Sequence, residues 1–175
     1  IAEALPAGLC GSAVVDALAE LARAGLLDRT GRLDFEALER TGAAAIVNQG
    51  GHELRAVLIA PAEQSAQGRP IVLSEADIAE ALKAKAAIHA GIVTLLRFAG
   101  TEPCELDGLI LAGGFWRHLH LRNAMRMGLL PVLPLERIEV IGNGALGGAL
   151  QGLGDPSAPQ SWDRLLELLE PIELN

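Results

Sequence analysis

Leu109-Ile110-Leu111-Ala112-Gly113-Gly114 and Ile138-Glu139-Val140-Ile141-Gly142-Asn143-Gly144-Ala145-Leu146-Gly147-Gly148 lie in one stretch, residues 106–153, whose reading decides the fold. Each apolar run predicts a short buried strand, and each hands over to a helix through glycines. A glycine at such a junction lets the backbone approach a ligand, and the helix start favours an anion. Two junctions of this kind point to a phosphate or nucleotide site in an α/β fold.

Working outward, the stretch upstream contains the longest helical pattern. Ser74 with Asp77 resembles a capping box, and the pattern runs to about Ala99 with Gly100 beyond it. Ile78, Leu82, Ile88, Ile92, Val93, Leu95, Leu96 and Phe98 spread over most of its circumference, which predicts a central helix. Lys83 and Lys85 interrupt it; either both reach water along apolar stems, or one reaches a nucleotide.

Ala45-Ile46-Val47 and Leu54 to Ala60 read as strands of a hairpin around Asn48-Gln49-Gly50-Gly51, with His52 and Glu53 solvated at the tip. Asp34 to Arg40 is a short helix broken at Thr41-Gly42. Further back, Ser12 is placed to cap a helix that buries Val14, Leu18, Leu21 and Ala22 and ends at Gly25. Downstream, Gly154 to Pro159 is a linker by composition. Ser161 caps a helix from Trp162 to Glu170, and Ile172-Glu173-Leu174 is an edge strand.

Composition limits the partners. The chain has 175 residues, a net charge of −8 and half its residues hydrophobic. No basic block offsets that charge, so neither nucleic acid nor an anionic membrane is an expected partner. No apolar run reaches the roughly 18 residues of a membrane span, and no signal-peptide pattern is present. A cytoplasmic protein is the expectation. Cys10 and Cys104 make no zinc or iron–sulfur pattern and read as two buried thiols. His118-x-His120 lacks a third ligand nearby and reads as two solvent-facing histidines, so no metal site is expected. The start at Ile1 predicts a portion of a longer protein.

Gly142-x-Gly144-x-x-Gly147 satisfies the spacing of a dinucleotide fingerprint, but a second strand ending in an acidic residue about 20 positions later is missing. A linker and an acidic leucine-rich helix stand there instead. The glycines at 142–148 are better read as close helix packing beside a cleft, which leaves Gly113-Gly114 as the stronger candidate for ligand contact. No P-loop, serine nucleophile elbow or His-Glu-x-x-His is present.

The order of strand, Gly-Gly, helix, strand and small-residue helix resembles the adenosine-binding half of the superfamily of acetate and sugar kinases, heat-shock chaperones and actin. Within it, Gly8-Leu9-Cys10-Gly11-Ser12-Ala13-Val14-Val15-Asp16, Gly25 to Leu33, Asp77-Ile78 and Ala84 to Ile92 resemble the reductive activators of corrinoid proteins. Ala112-Gly113-Gly114-Phe115, Gly128-Leu129-Leu130-Pro131 and Gly142 to Ala149 complete the series in family order, over nearly the whole chain.

The resemblance implies one lobe of an actin/sugar-kinase/chaperone-like (ribonuclease H-like) α/β ATPase fold, with a mixed sheet flanked by helices. It implies that residues 1–153 are the C-terminal portion of the nucleotide-binding domain, with a strand and hairpin insertion at 41–73. A linker at 154–160 and a terminal helix and tail at 161–175 follow. The implied activity uses ATP to return Co(II) corrinoid to Co(I) for methyl transfer. Its electrons come from a [2Fe–2S] domain outside this chain, and the partner is a corrinoid protein or a corrinoid methyltransferase.

By resemblance, Gly113, Gly114 and Phe115 wrap the adenosine, and Lys85 faces the base or ribose. Gly11 and Ser12 lie near the phosphates, and Asn143 and Gly144 line the cleft. ATP and Mg²⁺ are the implied ligands; the catalytic carboxylate and most magnesium contacts fall outside the chain, so no catalytic residue is named. Trp116 departs from the family, which has a small residue there; an indole would narrow or cover the pocket. Two other readings stay open. One is a docking module whose acidic surface meets a corrinoid protein or a second copy as a homodimer. The other is a small-molecule kinase of the same superfamily.

Overall fold

The computed structural model of the protein describes residues 4–155 and 157–173. They fold as two compact units. The first is formed from the residues up to His89 with Leu119–Pro131, the second from Ala90–His118 with the residues from Val132 onward.

In the first unit, helix α1 (Gly11–Arg23) is followed by α2 (Phe35–Thr41) and three antiparallel strands, β1 (Ala44–Gln49), β2 (His52–Ala60) and β3 (Ile71–Ser74), in the order β1-β2-β3. Gly50 and Gly51, at φ +62° and +84°, make the two-residue hairpin turn that a right-twisted strand pair requires. The apolar alternation predicts this sheet, and Ala56, Val57 and Leu73 are buried in it. Asp34 caps α2 through a bond from the Ala37 N–H (3.0 Å), and Gly42 ends it in the left-handed conformation.

Helix α3 (Glu75–Ala99) begins as the capping pattern requires. The Ser74 N–H donates to Asp77 Oδ2 (3.0 Å), and the Asp77 N–H donates to Ser74 Oγ (3.2 Å). Gly100 ends it at φ +62°. Ile78 is fully buried in a core with Leu18, Leu21, Leu27, Leu33, Leu38, Val57 and Leu73. The rest of the helix differs from the central helix its circumference predicts. Ile88, Leu95 and Phe98 are exposed, because no second layer covers that part of the apolar surface among the described residues.

The first unit takes α3 as far as His89, and helix α4 (Leu121–Arg126) of that unit packs on α1. Asn123 Nδ2 donates to Asp16 Oδ1 (2.9 Å), and Arg126 lies 3.9 Å from Glu20, which pairs more closely with Arg23 (2.7 Å). This helix, which follows the Gly113-Gly114 turn, begins after His120.

The second unit contains strands β4 (Leu109–Ala112) and β5 (Ile138–Ile141), paired in parallel, then α5 (Gly144–Gly154) and α6 (Ala158–Leu168). The strands of the fold are thus split between an antiparallel sheet and a parallel pair. Helix α6 starts earlier than Ser161. Asp155 Oδ1 accepts from the Ser157 N–H (2.8 Å) and hydroxyl (2.7 Å), and a proline in the first turn, where no N–H is needed, lets the helix begin at Ala158. Gly152 leaves room on α5 for the Trp162 indole, which a Cβ there would overlap. Ile172 and Glu173 form no strand; Leu174, the rest of that expected strand, lies outside the described residues.

Candidate functional site

Parallel pairing sets β4 and β5 in register from Leu109 against Ile138 to Ala112 against Ile141, so both strands end at the same edge. The Gly113 N–H extends the ladder by donating to the Gly142 carbonyl at 2.8 Å. The two glycine junctions of the sequence therefore lie side by side at the carboxyl ends of parallel strands, the edge at which open α/β sheets bind ligands.

The two junctions do different work. Gly113 has φ +113° and ψ 162°, a conformation essentially restricted to glycine. A Cβ built on Gly113 or Gly114 would meet nothing within 4 Å, so the backbone of this turn is open. Gly114 begins a short 3₁₀ turn through Arg117 that carries Phe115 and Trp116, whose rings meet edge to face, 5.0 Å apart at 82°. The Trp116 indole thus packs edge to face against Phe115, the predicted adenosine contact. Phe115 is 40% exposed beside it.

At the second junction, Asn143 Oδ1 accepts from the Leu146 N–H (3.0 Å) and caps α5, so the oxygen serves the helix. Gly144 abuts the strands: a Cβ there would stand 3.5 Å from Ala112 Cβ and from Ile141 Cδ1. Close packing holds for Gly144 and for Gly152 under Trp162, whereas Gly147 and Gly148 face open space.

In the first unit, Gly11 begins α1 and Cys10, not Ser12, is its N-cap, without a side-chain cap bond. Starting the helix at Gly11 turns Ser12 inward, where it is 6% exposed and its Oγ lies 3.1 Å from Cys10 Sγ. That hydroxyl, then the Ala13 N–H, holds the Cys10 thiol below its ordinary pKa. Both cysteines are exposed, contrary to the buried thiols expected from the sequence, because turns at Cys10 and Cys104 carry them to the surface.

Lys83 pairs with Glu80 (2.7 Å) in water. Lys85 does not: its Nζ lies over Gly128, where a Cβ would stand 3.3 Å away. It lines a cavity of about 390 Å³ that neither Gly11 nor Ser12 lines. Arg29 and Arg126 line it too. Neither is marked by a motif in the sequence, since only the fold of the Asp28 turn and the packing of α4 on α1 bring them to the cavity that Lys85 lines. His118 and His120 are exposed, and no three potential metal-ligating side chains gather among the described residues. No helix among the described residues is long and apolar enough to cross a membrane.

The whole chain, residues 1–175, matches a family model described as the C-terminal domain of RACo, the ASKHA domain. The chain belongs to this family. It is similar to the corrinoid activation enzyme RamQ of Eubacterium limosum, 33% identical over 152 residues, which cover 85% of this chain and 25% of RamQ. It is also similar to a solved structure of a reductive activator for corrinoid, iron-sulfur protein. The TM-score is 0.84 at 32% identity, over 95% of this chain and 26% of that one. This ASKHA chain thus spans about a quarter of the length of the relatives it matches. The α/β ATPase-type fold expected from the order of glycine turns is the fold of the family.

Proposed function

We propose that this chain is the ATP-binding part of a reductive activase that returns Co(II) corrinoid to Co(I) for methyl transfer. The observation that carries the reading is the open Gly113-Gly114 backbone at the carboxyl edge of β4 and β5, in a chain of the RACo ASKHA family. An open backbone beside exposed aromatic surface suits a purine nucleoside: the glycines admit it closely and Phe115 supplies an apolar contact. Gly113, Gly114 and Phe115 would hold the adenosine side, with Gly144 and the amide of Asn143 at the same edge. From the resemblance, Gly11, Ser12 and Lys85 of the first unit are assigned to the nucleotide as well.

ATP with Mg²⁺, when bound, supplies the free energy for the uphill transfer of one electron from a reduced [2Fe–2S] cluster to Co(II). The cluster and the residues that retain Mg²⁺ are assigned to regions outside this chain, and the corrinoid protein is the partner. This chain's own task is to bind and orient the nucleoside. Trp116 stands edge to face against Phe115, which makes it the side chain to vary beside this turn.

Calorimetric titration of ATP with Mg²⁺ into the intact protein tests the reading, with Trp116→Gly as the companion variant. Binding by the wild type, altered in affinity by Trp116→Gly, is the expected result. Absence of binding by both forms overturns the reading.

A second reading, a docking module for a corrinoid protein or a second copy, draws on α6. Its Leu165, Leu166 and Leu168 are exposed, with Leu169 just beyond its end. Under that reading the intact protein captures its corrinoid partner, α6 substitutions abolish capture, and ATP does not bind.

A further inference from the structure

Lys85 is one of three cations on a single cavity of the first unit. Leu27, Asp28, Arg29, Lys85, Arg126 and Met127 are among the residues that line it. Three positive side chains and one carboxylate face the cavity, in a chain whose net charge is −8.

The nearby carboxylates are committed elsewhere. Asp28 Oδ1 accepts from the Thr30 N–H (2.8 Å), the Thr30 hydroxyl (2.7 Å) and the Arg32 N–H (2.9 Å), closing its own turn. Glu20 pairs with Arg23 at 2.7 Å and reaches Arg126 only at 3.9 Å. Arg29 and Lys85 have no carboxylate within 4 Å among the described residues.

Helix ends do not account for these cations. The carbonyl ends of α1 and α4 favour positive charge, and Arg23 and Arg126 already stand in their last turns. Arg29 belongs to a turn and Lys85 to the middle of α3, so both are surplus to that role. Gly128, at φ +70°, lies beside the Lys85 ammonium; a Cβ there would stand 3.3 Å from Nζ. A pocket lined by guanidinium and ammonium groups beyond those the helix ends use matches the donor set that binds phosphoryl oxygens.

We propose that this cavity binds a phosphate-class anion through Arg29, Lys85 and Arg126. The ligand is free inorganic phosphate or the phosphate end of a nucleotide. The site shares Lys85 with the nucleotide reading above, but uses no residue of the Gly113-Gly114 turn and rests otherwise on Arg29 and Arg126.

The test is calorimetric titration of the intact protein with inorganic phosphate, and separately with ATP, against chloride at equal ionic strength. Wild type and Arg29→Gln are compared, with thermal unfolding of each as the folding control. Saturable phosphate binding that Arg29→Gln weakens about tenfold or more supports the site, the loss expected for a charge-assisted bond. If phosphate and ATP then compete, the anion is the nucleotide's phosphate; if ATP binds independently of Arg29, it is free phosphate. No saturable binding beyond chloride overturns the proposal. So does wild-type phosphate affinity in an Arg29→Gln variant that merely melts lower, since the cations would then serve only the fold.

Discussion

Adjacent glycines in one turn allow the nucleoside reading to be separated from fold stability. Gly114 has no positive φ, and a Cβ on it meets nothing within 4 Å. Gly114→Ala should therefore leave stability unchanged or raise it by ~0.4–1 kcal/mol, through reduced freedom of the unfolded chain. If a nucleoside occupies the space in front of this backbone, the new methyl must displace it. Overpacking of that kind costs about 1–3 kcal/mol, or roughly a 5–150-fold rise in the ATP dissociation constant. Gly113→Ala behaves differently. Its φ of +113° imposes a strain of about 1–3 kcal/mol on any side chain, so this variant should melt lower whatever it binds. Calorimetric titration with ATP and Mg²⁺ alongside thermal scans of the intact protein reads both quantities. Wild-type ATP affinity in a stable Gly114→Ala protein would refute the placement of the nucleoside at this turn.

Ile78→Ala removes a fully buried core side chain and should cost about 2–5 kcal/mol, read as a lower urea midpoint with unchanged slope; a loss under about 1 kcal/mol would contradict the packing. Ser12→Ala removes the hydroxyl that lowers the Cys10 pKa, so alkylation of Cys10 near neutral pH should slow, and the difference should vanish well above the ordinary thiol range. Equal rates near neutral pH would show that the hydroxyl does not stabilise the thiolate. Gly152→Ala, made in a Trp116→Phe background, must displace the Trp162 indole from α5 and red-shift its fluorescence. An unchanged spectrum would rule out that contact.

Much of the local structure could be read from residue order, because it rests on short-range chemistry. Ser74 and Asp77 bond to each other across one helical turn, so they announce the start of α3 wherever it packs. Asp34 and Gly42 likewise bracket α2, and Gly50-Gly51 sets the hairpin. The end of the chain was less legible. Asp155 bonds Ser157, the residue before α6, and the helix starts ahead of Ser161, a start that pattern alone does not show.

By itself, then, the sequence determined the strand–glycine–helix order, the family, and the candidate glycines, since backbone freedom and apolar period are properties of the chain. Tertiary structure alone decided which glycines are open. Parallel pairing of β4 with β5 leaves Gly113 and Gly114 clear while setting Gly144 against Ala112 and Ile141. It alone separated Lys83, paired in water with Glu80, from Lys85, which lies beside Gly128. The reason is physical: two lysines two positions apart on a helix point in different directions, and only the packing of other elements determines what each one meets.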